Sequence, residues 1–227
     1  MLSGDRVPDP SAFFGHPDPS TAPREQAELA AWLGELGLTP RGAILDVGGG
    51  PGFAATALAS RPGVERVVLL EYSPTATAYA RARGVEAYAF DFDGASLAVV
   101  VRGRFDVLMV RYSLAWCADL PRLAGQLREV AAPAAALVIS WVLPTRGACL
   151  GSGHESSAPR VLWSEAQVDR IFATAGWAVE RTFVPSPPLQ AVRGPWLRTL
   201  ALPFALAPGP LPKDPLQRHA GRLFRLA

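Results

Sequence analysis

The sequence predicts an α/β fold, a mostly parallel sheet with helices on both faces. Three observations carry this. Short apolar segments alternate with helix-period segments along most of the chain, the pattern of βαβ units. Strand candidates such as Val67-Val68-Leu69-Leu70 and Val107-Leu108-Met109-Val110 are apolar throughout, as a sheet covered on both sides requires. A glycine run follows the first strand, where such sheets turn into a helix and hold ligands.

Taken in order, residues 1–23 are rich in Pro, Asp and Ser and read as a flexible arm, with Phe13 and Phe14 as its bulky apolar content. Those rings either anchor the arm on the core or fold over a cleft. Residues 24–37 form a helix with Leu29, Trp32, Leu33 and Leu36 on one face and Gly37 closing it. A strand at 43–47 leads into an Ala-rich helix at 51–60. A strand at 66–71 precedes a helix at 73–83, with Ser73 as N-cap and Pro74 in its first turn. Strands follow at 85–90 and 105–111. Asp119 caps a helix that runs to about Val130, and residues 134–142 form the next strand. Ser164 and Gln167 make a capping box that opens a helix ending at Gly176. Residues 177–184 and 222–226 are the last strand candidates. Between them, about 185–217 is Pro-rich yet carries Trp196, Leu197, Leu200, Leu202 and Phe204. It reads as a packed insertion, either a lid or the surface of a homodimer. Residues 24–227 therefore form one domain.

Composition narrows the function classes. The 227 residues are 49% hydrophobic and 19% charged, which is globular and not disordered. A net charge of +2 gives no basic field, so nucleic acid is not an expected partner. Lys213 is the one lysine, so a buried lysine nucleophile has little support. Cys117 and Cys149 lie far apart. A disulfide framework and a metal site are not expected, and two free thiols suit a reducing cytoplasm. The first residues lack a charged stretch followed by an apolar run, so no signal peptide is expected. The most apolar stretch, 130–142, is interrupted by Pro133 and too short for a bilayer, so no membrane partner is expected.

The glycine loop Asp46-Val47-Gly48-Gly49-Gly50-Pro51-Gly52 is the strongest local signal. Glycine at such a turn lets backbone approach a ligand without a Cβ in the way. A dinucleotide fingerprint starting at Gly48 would need glycine at 53, where Phe53 stands. No Gly-Lys-Ser/Thr sequence exists, which removes the P-loop reading. Asp46, just before the loop, would repel a pyrophosphate and suit an ammonium. Glu71 ends the second strand, in the position that accepts hydrogen bonds from ribose hydroxyls. Asp91-Phe92, after the third, offers a carboxylate to an adenine amino group and a ring edge beside the base. A ligand with ammonium, ribose and adenine but no phosphate is S-adenosylmethionine.

These residues, with Glu71-Tyr72-Ser73-Pro74 and 105–116, resemble class I S-adenosylmethionine-dependent methyltransferases over roughly residues 40–184. The resemblance implies a Rossmann-like seven-stranded sheet whose last strand is antiparallel and inserted beside the fifth. It implies that Asp46 and Gly48, Gly49, Gly50 and Gly52 hold the methionyl end of the cofactor. Glu71 then takes the ribose diol with Tyr72 beside it, and Asp91 and Phe92 recognise adenine. Arg111 lies where a backbone carbonyl faces the cofactor amine. Many relatives carry His where this chain has Ala115, so one base is missing; an Asn-Pro-Pro-Tyr type motif is also absent.

The implied activity is methyl transfer to a small-molecule acceptor, in which the candidate catalytic groups are Tyr112 and the loop residue His154. Phe14 and Trp116 are candidate acceptor contacts, Trp116 being as readily core as pocket wall. Asp93 reads as a turn residue, and His16 and His219 as surface groups. Other chemistry on the same cofactor, such as cyclisation or aminocarboxypropyl transfer, and a non-catalytic cofactor-binding module are the alternatives.

Overall fold

The computed structural model describes residues 17–143, 161–185 and 219–226. Its seven strands form one sheet in the order β3-β2-β1-β4-β5-β7-β6. The strands are β1 (Gly42–Val47), β2 (Val64–Glu71), β3 (Glu86–Ala89), β4 (Phe105–Arg111), β5 (Ala131–Val142), β6 (Trp177–Phe183) and β7 (His219–Leu226). The first five are parallel, while β7 runs antiparallel between β5 and β6. This is the Rossmann-like arrangement expected, with the reversed strand beside the fifth.

Helices α1 (Ala22–Leu36), α2 (Phe53–Ala59) and α3 (Pro74–Ala82) cover one face. Leu29, Trp32 and Leu36 of α1 and Leu58 of α2 pack there on Ile44, Leu69, Met109 and Val138. Helices α4 (Leu97–Val100), α5 (Leu120–Val130) and α6 (Glu165–Thr174) cover the other, against Leu45, Leu70, Leu108 and Leu137. Successive strand residues thus serve opposite faces, which is why the sequence lacks alternation.

Capping follows the sequence closely. Ser73 accepts from Ala76 N–H, Asp119 from Arg122 N–H, and Ser164 and Gln167 close their capping box. Several boundaries differ, and one helix was not expected. α2 begins at Phe53 and not at 51, because Gly52 is its N-cap with φ +81°. β5 begins at Ala131 and not at 134. Its register against β4 slips where Pro133 and Ala134 (φ +61°) stand, an irregularity that lets the strand continue through a proline. β7 begins three residues before the expected 222, since His219, Ala220 and Gly221 pair with Val142, Trp141 and Ser140. The four-residue α4 has too little periodicity to be read from sequence; buried Leu97 seats it, its N–H facing Gln126 Oε1 at 3.4 Å.

Candidate functional site

The carboxyl ends of β1, β2 and β4 converge on the α1–α2 side of the sheet. Ile44, Leu69 and Met109 face that side, so Asp46, Glu71 and Arg111, two residues further along each strand, point the same way. The loop from Gly48 to Gly52 wraps over these tips. Gly48 has φ +72°, and its N–H donates to Leu70 O at 2.7 Å. A Cβ at Gly48 would lie 2.5 Å from Ser113 Oγ. At Gly49 it would lie 2.5 Å from Asp46 Oδ2 and 2.6 Å from Leu69 Cδ1. Glycine is required at Gly48 by its positive φ and the close Ser113, and at Gly49 because the backbone runs directly over the Asp46 carboxylate.

Asp46 is fully buried, and neither of its oxygens accepts a hydrogen bond. Its charged neighbour is the buried Arg111, whose Nη2 stands 3.7 Å from Oδ2, too far for a hydrogen bond. Burial pushes the Asp46 carboxyl above the usual carboxylate range, and Arg111 only partly opposes this. Glu71 is also buried but well satisfied: Oε2 accepts from Gly50 N–H and Oε1 from Ser73 N–H, both at 2.9 Å. It ties the glycine loop to the head of α3. Burial again raises its pKa, against the pull of those backbone donors.

The third strand tip is split. Phe92 is buried, stacked edge-on to Phe90, with its ring tip near Gly48. Asp91 is exposed, and its Oδ1 accepts from Asp93 N–H. Tyr72 is half-buried beside Glu71. Asp93 lies in a turn, as expected, and its carboxylate also accepts from Ala118 and Asp119 N–H, holding the segment that leads into α5.

Tyr112 has an unusual backbone, φ +56°. Its hydroxyl donates to Glu28 Oε1 on α1, and its ring meets Trp32 and His219 edge-on at 5.5 and 5.3 Å. Burial, then the Glu28 charge, pushes the phenol above its ordinary range. His219 is therefore no surface group: half-buried on β7, its pKa is lowered by burial. Trp116 is half-buried and packs against the hydrophobic core. His154, Phe14, His16 and residues 186–217 of the insertion lie outside the described residues.

Three participants were missed from sequence. Glu28 is buried on the Leu29–Trp32 face of α1, and Glu25 lies one turn earlier, within electrostatic reach of Arg111, Asp46 and Glu28. Their spacing from Trp32 continues the apolar stripe, which was the available signal. The third is the Arg111 side chain, since only its backbone was given a role.

Residues 45–139 match the family model described as a methyltransferase domain. The fold is shared with solved structures of low identity. One is a chain from the Haloferax volcanii complex containing the Trm112 methyltransferase activator, 17% identical with 96% of each chain covered and a TM-score of 0.71. Another is an S-adenosylmethionine-dependent methyltransferase from Mesorhizobium loti, 19% identical over 89% of this chain and 97% of that one, TM-score 0.62. A third is geranyl diphosphate C-methyltransferase from Streptomyces coelicolor, solved with S-adenosylhomocysteine, 15% identical over 89% and 79%, TM-score 0.64. No curated protein sequence matches the chain. The family match covers the middle of the sheet, residues 45–139, and the solved structures share its Rossmann-like methyltransferase fold. S-adenosylmethionine is the cofactor that this match and this fold indicate.

Proposed function

We propose that the chain transfers a methyl group from S-adenosylmethionine to a small-molecule acceptor. The observation that carries this is Asp46, a fully buried carboxylate with two unpartnered oxygens beneath a backbone cradle of glycines. A desolvated anion without donors is unfavourable, so the position suits a ligand bearing an ammonium and not a phosphate.

When bound, the cofactor supplies a methyl carbon already activated by its sulfonium. The chain's residues hold and orient. Asp46 accepts from the amine. Glu71 keeps lone pairs for sugar hydroxyls while its backbone bonds fix the loop. Phe92 gives the base an apolar wall, and Asp91 takes the adenine amino group. Fixing donor and acceptor in line contributes about 7–11 kcal/mol to such transfers. Tyr112 has its hydroxyl engaged by Glu28 and its pKa raised, so it makes a poor proton acceptor near neutrality. Where the acceptor must lose a proton, His154 is the remaining candidate. A small acceptor is favoured by the near-neutral net charge, which offers no charged footprint for a protein or nucleic-acid acceptor.

Calorimetry with S-adenosylmethionine tests the cofactor reading. The wild-type protein is expected to bind, and Glu71→Ala to lose at least a hundredfold in affinity while retaining its far-UV circular dichroism. Near-wild-type affinity in that variant refutes the site. Product analysis with candidate acceptors should find S-adenosylhomocysteine. Methylthioadenosine instead would mean cyclisation or aminocarboxypropyl transfer, and binding without turnover a sensing module.

A further inference from the structure

We infer that Arg111 is a built-in counter-ion that occupies the ammonium's place beside Asp46 in the ligand-free protein and turns to the methionyl carboxylate when the cofactor binds. The inference deepens the cofactor reading and rests on it.

The pair is loose in a way that ordinary ion pairs are not. Both side chains are buried, at 7% and 0% exposure, where an unsatisfied charge is most unfavourable. Yet the closest approach is 3.7 Å, both Asp46 oxygens lack a donor, and Arg111 Nε lacks an acceptor. A buried guanidinium built to be a permanent partner would meet its carboxylate through two parallel hydrogen bonds. Here the two groups neutralise each other across a gap and leave three polar atoms unused. Those unused atoms match an α-amino acid head group: two acceptors on Asp46 for an ammonium, and a donor edge on Arg111 for a carboxylate.

The surroundings let Arg111 change partner. It ends β4, where Tyr112 follows with φ +56°. Glu25 of α1 provides a second carboxylate within electrostatic reach, so the cation stays compensated as it leaves Asp46. Glu28 is held by Tyr112 and does not compete. The adenosine end of the ligand, at Glu71 and Phe92, does not enter this exchange.

The test compares three probes by calorimetry on the full chain: S-adenosylmethionine, its decarboxylated analogue, and methylthioadenosine, which lacks both amine and carboxylate. Wild type is expected to bind S-adenosylmethionine at least tenfold more tightly than the decarboxylated form. In Arg111→Met that ratio should fall to within twofold of one, with methylthioadenosine affinity unchanged within twofold. Arg111→Lys, which keeps the charge without the fork, should retain an intermediate ratio and guards against a Met variant that does not fold. A wild-type protein that binds the decarboxylated form as tightly as S-adenosylmethionine overturns the inference alone, as does an unchanged ratio in either variant. Wild type binding none of the three overturns the cofactor reading, and this inference with it.

Discussion

Gly49 and Tyr112 show how single residues set the site. At Gly49 the added methyl of alanine would fall within 2.6 Å of both Asp46 and Leu69, neither of which has room to retreat from the sheet. The loop must lift instead, and Gly50 N–H then leaves Glu71. Overpacking of this kind costs about 1–3 kcal/mol. Gly49→Ala should lower the urea midpoint accordingly and weaken S-adenosylmethionine at least tenfold. An alanine variant with wild-type midpoint and affinity would show that the loop is softer than its contacts imply. Tyr112 acts differently, as a tie between elements. Its hydroxyl is the donor to the buried Glu28 carboxylate, so Tyr112→Phe removes the partner and leaves the charge in place. The expected loss is about 1–3 kcal/mol in chemical denaturation. A loss under about 0.5 kcal/mol would mean that Glu28 finds water or another donor.

At the scale of elements, α6 is pinned to β7 through a buried arginine. Arg222 donates from Nε to Asp169 Oδ1 at 2.9 Å and from Nη2 to Glu165 Oε2 at 2.6 Å, and its guanidinium lies 5.6 Å from the Trp141 ring centre. Both carboxylates are substantially exposed, which screens the pairs. Arg222→Met should therefore cost only about 1–2 kcal/mol, read as a lower thermal midpoint; a larger loss would place the stabilisation in cation–π packing. The helix caps and the acidic tips were legible in the sequence, because each depends on local chemistry: Pro74 after Ser73, Asp119 before Leu120, Glu71 after an apolar run; the strand order came from the family resemblance and not from any local signal. What was not legible needed long-range pairing. Nothing near Glu28 in sequence announces Tyr112, eighty-four positions away, and nothing near Arg222 announces Glu165. The strand break at Pro133 was read as a strand start, because a proline ends local reasoning while the sheet tolerates it at a register slip.

For the whole molecule, the two buried acids make cofactor affinity and protein stability run in opposite directions with pH. Burial raises the pKa of Asp46 and of Glu71 above the unfolded values. An acid raised in this way binds its proton more tightly when folded. Its stabilising contribution is present at low pH and is lost as pH rises through the raised value. A ligand that is cationic at its amine and sulfonium prefers the ionised carboxylates, so its affinity climbs with pH across the same window. Each acid that must give up a proton on binding changes the affinity by up to about tenfold per pH unit. Calorimetry at acidic pH, in buffers of different ionisation enthalpy, should therefore register proton release on binding that disappears above the raised pKa values. Ligand at about 100 Kd should stabilise the protein by roughly 2.7 kcal/mol, and at fixed ligand concentration that increment should shrink as the solution is acidified. Affinity that is flat with pH, or proton uptake instead of release, would mean that Asp46 does not face the cation.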